Sequence, residues 1–84
     1  MKHATDIALD GLAPLLVRLR ALEGLTERKR GVFYRRSQAF LHFHEDPAGF
    51  FADLRTAAGW LRLPVTTVRE RNAFLKTAAG ELKR

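Results

Sequence analysis

The stretch VFYRRSQAFLHFHEDPAGFFADLR, from Val32 to Arg55, decides the fold. β-Branched and aromatic residues dominate three short segments of it, a composition that is typical of β-strands. We predict strands over residues 32–36, 39–44 and 50–55, joined by a turn at Ser37-Gln38 and a turn at Asp46-Pro47-Ala48-Gly49. Connections this short force neighbouring strands to run antiparallel, so the stretch predicts a three-stranded antiparallel β-meander.

Alternation along each strand assigns the side chains to two faces of this sheet. The core face is predicted to hold Val32, Tyr34, Leu41, Phe43, Phe50, Ala52 and Leu54. In the third strand we chose this register because it keeps Asp53 and Arg55 out of the apolar core. The opposite face then carries Phe33, Phe40 and Phe51 together with Arg35, His42, His44, Asp53 and Arg55.

Leucines recur at helical spacing before this stretch, and a second helical pattern follows it. The first pattern predicts a helix from about Leu12 to Glu23, with Gly24 as its stop. Pro14 leaves two arrangements open at its start: a helix that begins near Asp10, or a longer helix that kinks. The last helix is predicted to begin after Thr67, because Thr67 and Glu70 form a capping-box pattern.

These elements predict an α+β fold with the order helix, three-stranded antiparallel β-meander, helix (α-β-β-β-α), and with both helices packed on one face of the sheet. Residues 26–31 are interpreted as a charged connector, and residues 56–63 as an irregular segment in which Trp60 covers the edge of the core. With 84 residues, the chain is expected to form a single domain, 1–84, in which residues 1–9 are the segment expected to be flexible.

Composition limits the function classes. There is no cysteine for a disulfide or a thiolate metal site. No apolar run approaches the roughly 18–20 residues that cross a bilayer, and the first residues lack the apolar stretch of a secretion signal, so we expect a cytoplasmic protein with no membrane partner. No nucleophile elbow or glycine-rich phosphate loop is present, so we expect a protein that is not an enzyme and has no cofactor.

The formal net charge of +6 favours a polyanionic partner. Basic side chains cluster around the first strand, at Arg28, Lys29, Arg30, Arg35 and Arg36. A second row on the last helix, Arg69, Lys76 and Lys83, recurs every seven residues and so follows one side of the helix. Such rows can contact phosphates, so DNA or RNA binding is the first functional prediction.

Two alternatives accompany that prediction. Phe33, Phe40 and Phe51 on the uncovered face exceed what a monomer comfortably exposes, which predicts an interface and self-association as a homodimer. His42 and His44 project to the same face of one strand with Asp53 on the next, which predicts a metal site of two imidazoles and one carboxylate. Polar side chains that hydrogen-bond to their neighbours on a half-exposed sheet would equally explain these three residues. His3 is not counted as a candidate ligand because it lies near the terminus.

The predicted element order is similar to that of double-stranded-RNA-binding domains. Those domains begin their last helix with Lys-Lys-x-Ala-Lys, whereas the corresponding stretch here is Thr67-Val68-Arg69-Glu70-Arg71. Because the motif is missing, the order of elements alone supports the comparison, and it assigns no family.

Overall fold

The computed structural model describes every residue of the chain, Met1–Arg84. It contains six strands and three helices. In chain order these are β1 (Lys2–His3), α1 (Asp6–Gly11), α2 (Ala13–Arg20), β2 (Leu25–Lys29), β3 (Val32–Arg35), β4 (Gln38–Asp46), β5 (Gly49–Thr56), β6 (Gly59–Pro64) and α3 (Val68–Leu82).

All six strands belong to one antiparallel sheet with the order β2-β3-β4-β5-β6. The short strand β1 pairs with β4 beyond the end of β3. The predicted three-stranded meander flanked by two helices is therefore wrong, because β3, β4 and β5 form only the centre of a larger sheet. The residues of β2 were predicted to be a connector because their sequence, LTERK, is polar. A polar composition also suits a strand at the edge of a sheet. In β6, Gly59 and Pro64 mark the two ends of a strand and do not interrupt it.

The N-terminal helical region is two short helices and not the single predicted helix. The helical region is interrupted at Leu12, which is the C-cap of α1 and the N-cap of α2. Pro14 then falls in the first turn of α2, where its missing N–H costs no hydrogen bond. The predicted start of α3 is confirmed: Glu70 N donates to Thr67 Oγ1 at 3.1 Å, and Thr67 N donates to Glu70 Oε1 at 3.0 Å.

A β-bulge in β4 changes which side chains face the core. Phe33 pairs with Leu41 while Tyr34 pairs with Ala39, so Phe40 is an extra residue between them. Phe33 and Phe40 join the hydrophobic core and are only 1% and 3% exposed. The prediction that both rings lie on the face opposite to the core is wrong. Strict alternation of side chains does not allow for an inserted residue. The predicted inward placement of Ala52 and Leu54 on β5 is confirmed, since both are fully buried in the core.

The helices cover one face of the sheet only. Leucines of α1 and α2 and apolar residues of α3 pack with the strands into one cluster, in which the rings of Phe43 and Phe74 lie 6.3 Å apart. The other face, which we call the uncovered face, carries His3, His42, His44, Phe51, Asp53, Arg55, Trp60 and Arg62. None of the three helices has the length and apolar character needed to cross a bilayer.

Replacing Phe33 by alanine tests the bulge and the register that it sets. Because Phe33 is buried, we expect Phe33→Ala to lower the free energy of unfolding by about 3–5 kcal/mol, measured by urea denaturation. Val68→Ala is the control, because Val68 is 72% exposed and should change stability by no more than about 0.5 kcal/mol. Equal, small effects of the two substitutions would contradict the observed register.

Candidate metal centre

The three histidines of the chain meet on the uncovered face. His42 and His44 lie two residues apart on β4 and so project to the same side. His3 is the direct partner of His44 across the β1–β4 pair. The ring centroids are 4.8 Å apart for His3 and His44, 5.0 Å for His42 and His44, and 5.7 Å for His3 and His42. One nitrogen from each ring lies within 4.8 Å of the other two, so the three imidazoles form one cluster.

Several contacts hold the segment around His3 in place. Ala4 N donates to the carbonyl of Phe43 at 3.1 Å. The Glu45 carboxylate accepts hydrogen bonds from Thr5 N at 2.8 Å and Thr5 Oγ1 at 2.9 Å, and it pairs with Lys2 at 3.4 Å. These hydrogen bonds from Thr5 lower the pKa of Glu45, which favours its charged form. The residues on both sides of His3 are thus tied to β4, although β1 itself has only two residues.

Asp53 orients His44 and does not offer a free ligand. Its carboxylate accepts hydrogen bonds from Arg62 at 2.7 Å and 2.9 Å, and the Nε2 atom of His44 lies 3.0 Å from the Oδ2 atom. The hydrogen bonds from Arg62 lower the pKa of Asp53, so the carboxylate is charged at neutral pH. A charged carboxylate can only accept, so the Nε2 atom of His44 must carry a proton. In a neutral ring, the Nδ1 atom of His44 then has a free lone pair.

The Nδ1 atoms of His42 and His44 are both buried and have no hydrogen-bond partner in the protein. A buried polar atom without a partner costs about 1–3 kcal/mol, and such atoms are rare enough in folded proteins to need an explanation. Burial also lowers the pKa of His42, so its ring is neutral at neutral pH and keeps one nitrogen lone pair. A metal ion bound at these nitrogens would supply the partner that both Nδ1 atoms lack.

The cluster has the donor chemistry and nearly the spacing of a transition-metal site. Zinc–nitrogen bonds of about 2.0–2.1 Å in a tetrahedral arrangement place the nitrogens roughly 3.3–3.4 Å apart. The largest separation of 4.8 Å therefore has to shorten when an ion binds. His3 can supply this movement because its side chain is exposed, whereas His44 is held by Asp53. Three imidazoles leave the fourth tetrahedral position open.

The predicted metal residues are thus brought together, but with different roles. His42 and His44 lie in the cluster, while Asp53 is occupied by Arg62 and positions His44. His3, which the sequence interpretation set aside, is the third imidazole. The available signal was Thr5, a residue type that commonly caps a helix, which indicates that the chain is already ordered two residues after His3.

A cleft opens beside the histidines, in the notch between β1 and β3 along the same edge of β4. Its volume is about 430 Å³, and both His3 and His42 line it. Lys29 and Arg30 contribute positive charge to its wall. On the other side of His42, the ring of Trp60 lies 5.1 Å away and carries the Arg55 guanidinium at 4.5 Å. The sequence did not predict the contact between Trp60 and His42, because Trp60 was expected to cover the edge of the core.

The predicted nucleic-acid residues do not form one surface. Arg30 contacts Asp6 and Asp10, and Arg35 donates to backbone carbonyls at the end of α3. Arg28 lies over the Tyr34 ring at 4.3 Å, on the side of the sheet opposite to α3. The α3 row, Arg69, Lys76 and Lys83, is exposed, as are Arg28, Lys29 and Arg36. The first predicted row is thus divided, with Arg28 on the side opposite to α3 and Arg35 beside the end of α3. Nucleic-acid binding by these residues stays a prediction.

Of the three predicted interface phenylalanines, only Phe51 lies on the uncovered face, where it is half-buried as the cross-strand partner of His44. Phe33 and Phe40 are buried in the core, so their rings are not part of the exposed surface.

Comparison with protein-family models, with curated proteins and with solved structures gave no match. The chemistry of the three-histidine cluster therefore carries the functional interpretation.

The tautomer of His44 in the metal-free protein is a direct check on the role of Asp53. We expect nitrogen NMR of the neutral His44 ring to show the proton on Nε2 and a free lone pair on Nδ1, because Asp53 accepts from Nε2. His3 has an exposed ring and no carboxylate partner, so it serves as the internal reference and should show a mixture of tautomers. A neutral His44 ring that carries its single proton on Nδ1 would contradict this arrangement.

Proposed function

We propose that the protein binds a divalent first-row transition-metal ion, with Zn²⁺ as the preferred probe, through His3, His42 and His44. The observation that carries this proposal is the pair of buried Nδ1 atoms that have no partner within a cluster of three imidazoles. Buried polar atoms usually have a hydrogen-bond partner, and the protein itself supplies none for these two nitrogens.

The surroundings of His44 match those of a metal-bound histidine. A histidine that binds a metal usually donates its other ring N–H to a carboxylate or carbonyl, which sets the tautomer and the ring orientation. Asp53 supplies this carboxylate for His44, and Arg62 holds Asp53 in place through two hydrogen bonds. In the proposed site Asp53 and Arg62 are therefore positioning residues, and the three imidazoles are the ligands.

The ligand set also indicates the kind of ion and the kind of site. Imidazole nitrogen suits Zn²⁺, Cu²⁺ and Ni²⁺, whereas Mg²⁺ and Ca²⁺ require oxygen ligands. Structural zinc sites are closed by four protein ligands, while sites with three protein ligands keep one position for water or another small molecule. Three histidines beside an open cleft support the second kind, in which the bound ion can exchange a ligand.

Nucleic-acid binding and homodimer formation stay predictions of a different class. The metal proposal is preferred because two buried Nδ1 atoms without a partner in the protein lie on rings of a three-imidazole cluster.

Calorimetric titration with Zn²⁺ tests the proposal. We expect one equivalent to bind to the wild type, and His44→Ala to abolish this binding because it removes a ligand. Asp53→Asn should weaken the affinity by about 10–100-fold, the usual effect of losing a carboxylate that orients a metal-bound histidine.

Asp46→Asn is the matched control, because it makes the same chemical change near the histidines. Asp46 uses its Oδ1 atom to accept from Ala48 N, a role that asparagine preserves. It should leave the zinc affinity unchanged. Circular dichroism must show that each variant is folded. The proposal would be contradicted if the wild type bound no Zn²⁺. It would also be contradicted if folded His44→Ala bound Zn²⁺ as tightly as the wild type does.

A further inference from the structure

We propose that the cleft between β1 and β3 binds a small organic carboxylate whose charged group completes the coordination of the metal ion. This inference rests on the proposed metal site and names the class of ligand that the open position takes.

The open coordination position faces the cleft. His3 and His42 both line the cleft, whereas His44 does not and is only 7% exposed. An ion held by the three rings therefore has His44 on its buried side and the cleft on the other side. The cleft volume of about 430 Å³ lies in the range of small-molecule sites.

The charges of the cleft favour a monoanion. Lys29 lines the cleft and takes part in none of the ion pairs of the protein. Arg30 also lines it, but its guanidinium is already bound to Asp6 and Asp10. One free ammonium group and the ion attract an anion, while the Asp6 carboxylate at the same wall disfavours a second negative charge. This combination suits a carboxylate better than a phosphate dianion.

The remainder of the cleft is suited to a short hydrocarbon chain. Leu9, Val32 and Phe43 contribute apolar surface to it. Gly31 forms part of the wall in a left-handed conformation, with φ of +78°, and a Cβ atom there would lie 2.6 Å from Leu9. Both the positive φ and this close approach favour glycine at position 31, where the absence of a side chain leaves the cleft open.

The test uses the full chain loaded with Co²⁺, whose visible absorption reports the number and type of its ligands. Adding butyrate should change this spectrum in a saturable way, and butyrate should bind more tightly than acetate or inorganic phosphate. Lys29→Gln should weaken butyrate binding by about tenfold through loss of a charge-assisted hydrogen bond, without changing the affinity for Co²⁺. Lys76→Gln removes the same charge from α3 and should change neither affinity.

The outcomes separate the two proposals. If Co²⁺ binds and butyrate has no effect on the spectrum, the carboxylate inference is wrong and the metal site stands. Tighter binding of phosphate than of butyrate would show that the ligand class is wrong, and equal binding by wild type and Lys29→Gln would show that the ligand lies outside the cleft. If Co²⁺ itself does not bind, both proposals are overturned.

Discussion

The Asp53 carboxylate accepts two hydrogen bonds from Arg62 and lies 3.0 Å from the Nε2 atom of His44, at a position where only 9% of the residue is exposed. A carboxylate at such a site needs partners, because burying an unpaired charge is costly. Arg62 supplies the charge and His44 supplies the third hydrogen bond. The orientation of the His44 ring, and with it the direction of its free nitrogen, follows from this one arrangement.

Alternation could predict the centre of the sheet but not its extent. The three central strands are rich in aromatic and branched residues, whereas β2 is polar and β6 begins with glycine and ends with proline, so both resemble loops. Edge strands need only one neighbour, and their local composition therefore says little about them. The bulge at Phe40 places its ring in the core shared with the helices. The local sequence pattern contains no information about this packing. As a result, Phe33 and Phe40 were assigned to the wrong face.

The sequence could predict those parts of the site that come from residues on one strand or on consecutive strands. His42 and His44 share a face because they are two residues apart on one strand, and Asp53 follows because β5 is the next strand. His3 could not be placed in the same way, because its contact depends on a two-residue strand pairing with a segment about 40 residues away. The role of Asp53 was also beyond the sequence, since it depends on Arg62 of β6, a strand that was not predicted.

The central claim is that three imidazoles, and no carboxylate of the protein, hold the ion. X-ray absorption at the zinc edge of the loaded protein measures this most directly. We expect three imidazole nitrogens and one oxygen ligand at about 2.0–2.2 Å from the ion. A shell of oxygens without the scattering pattern of imidazole rings, or one with fewer than three rings, would contradict it.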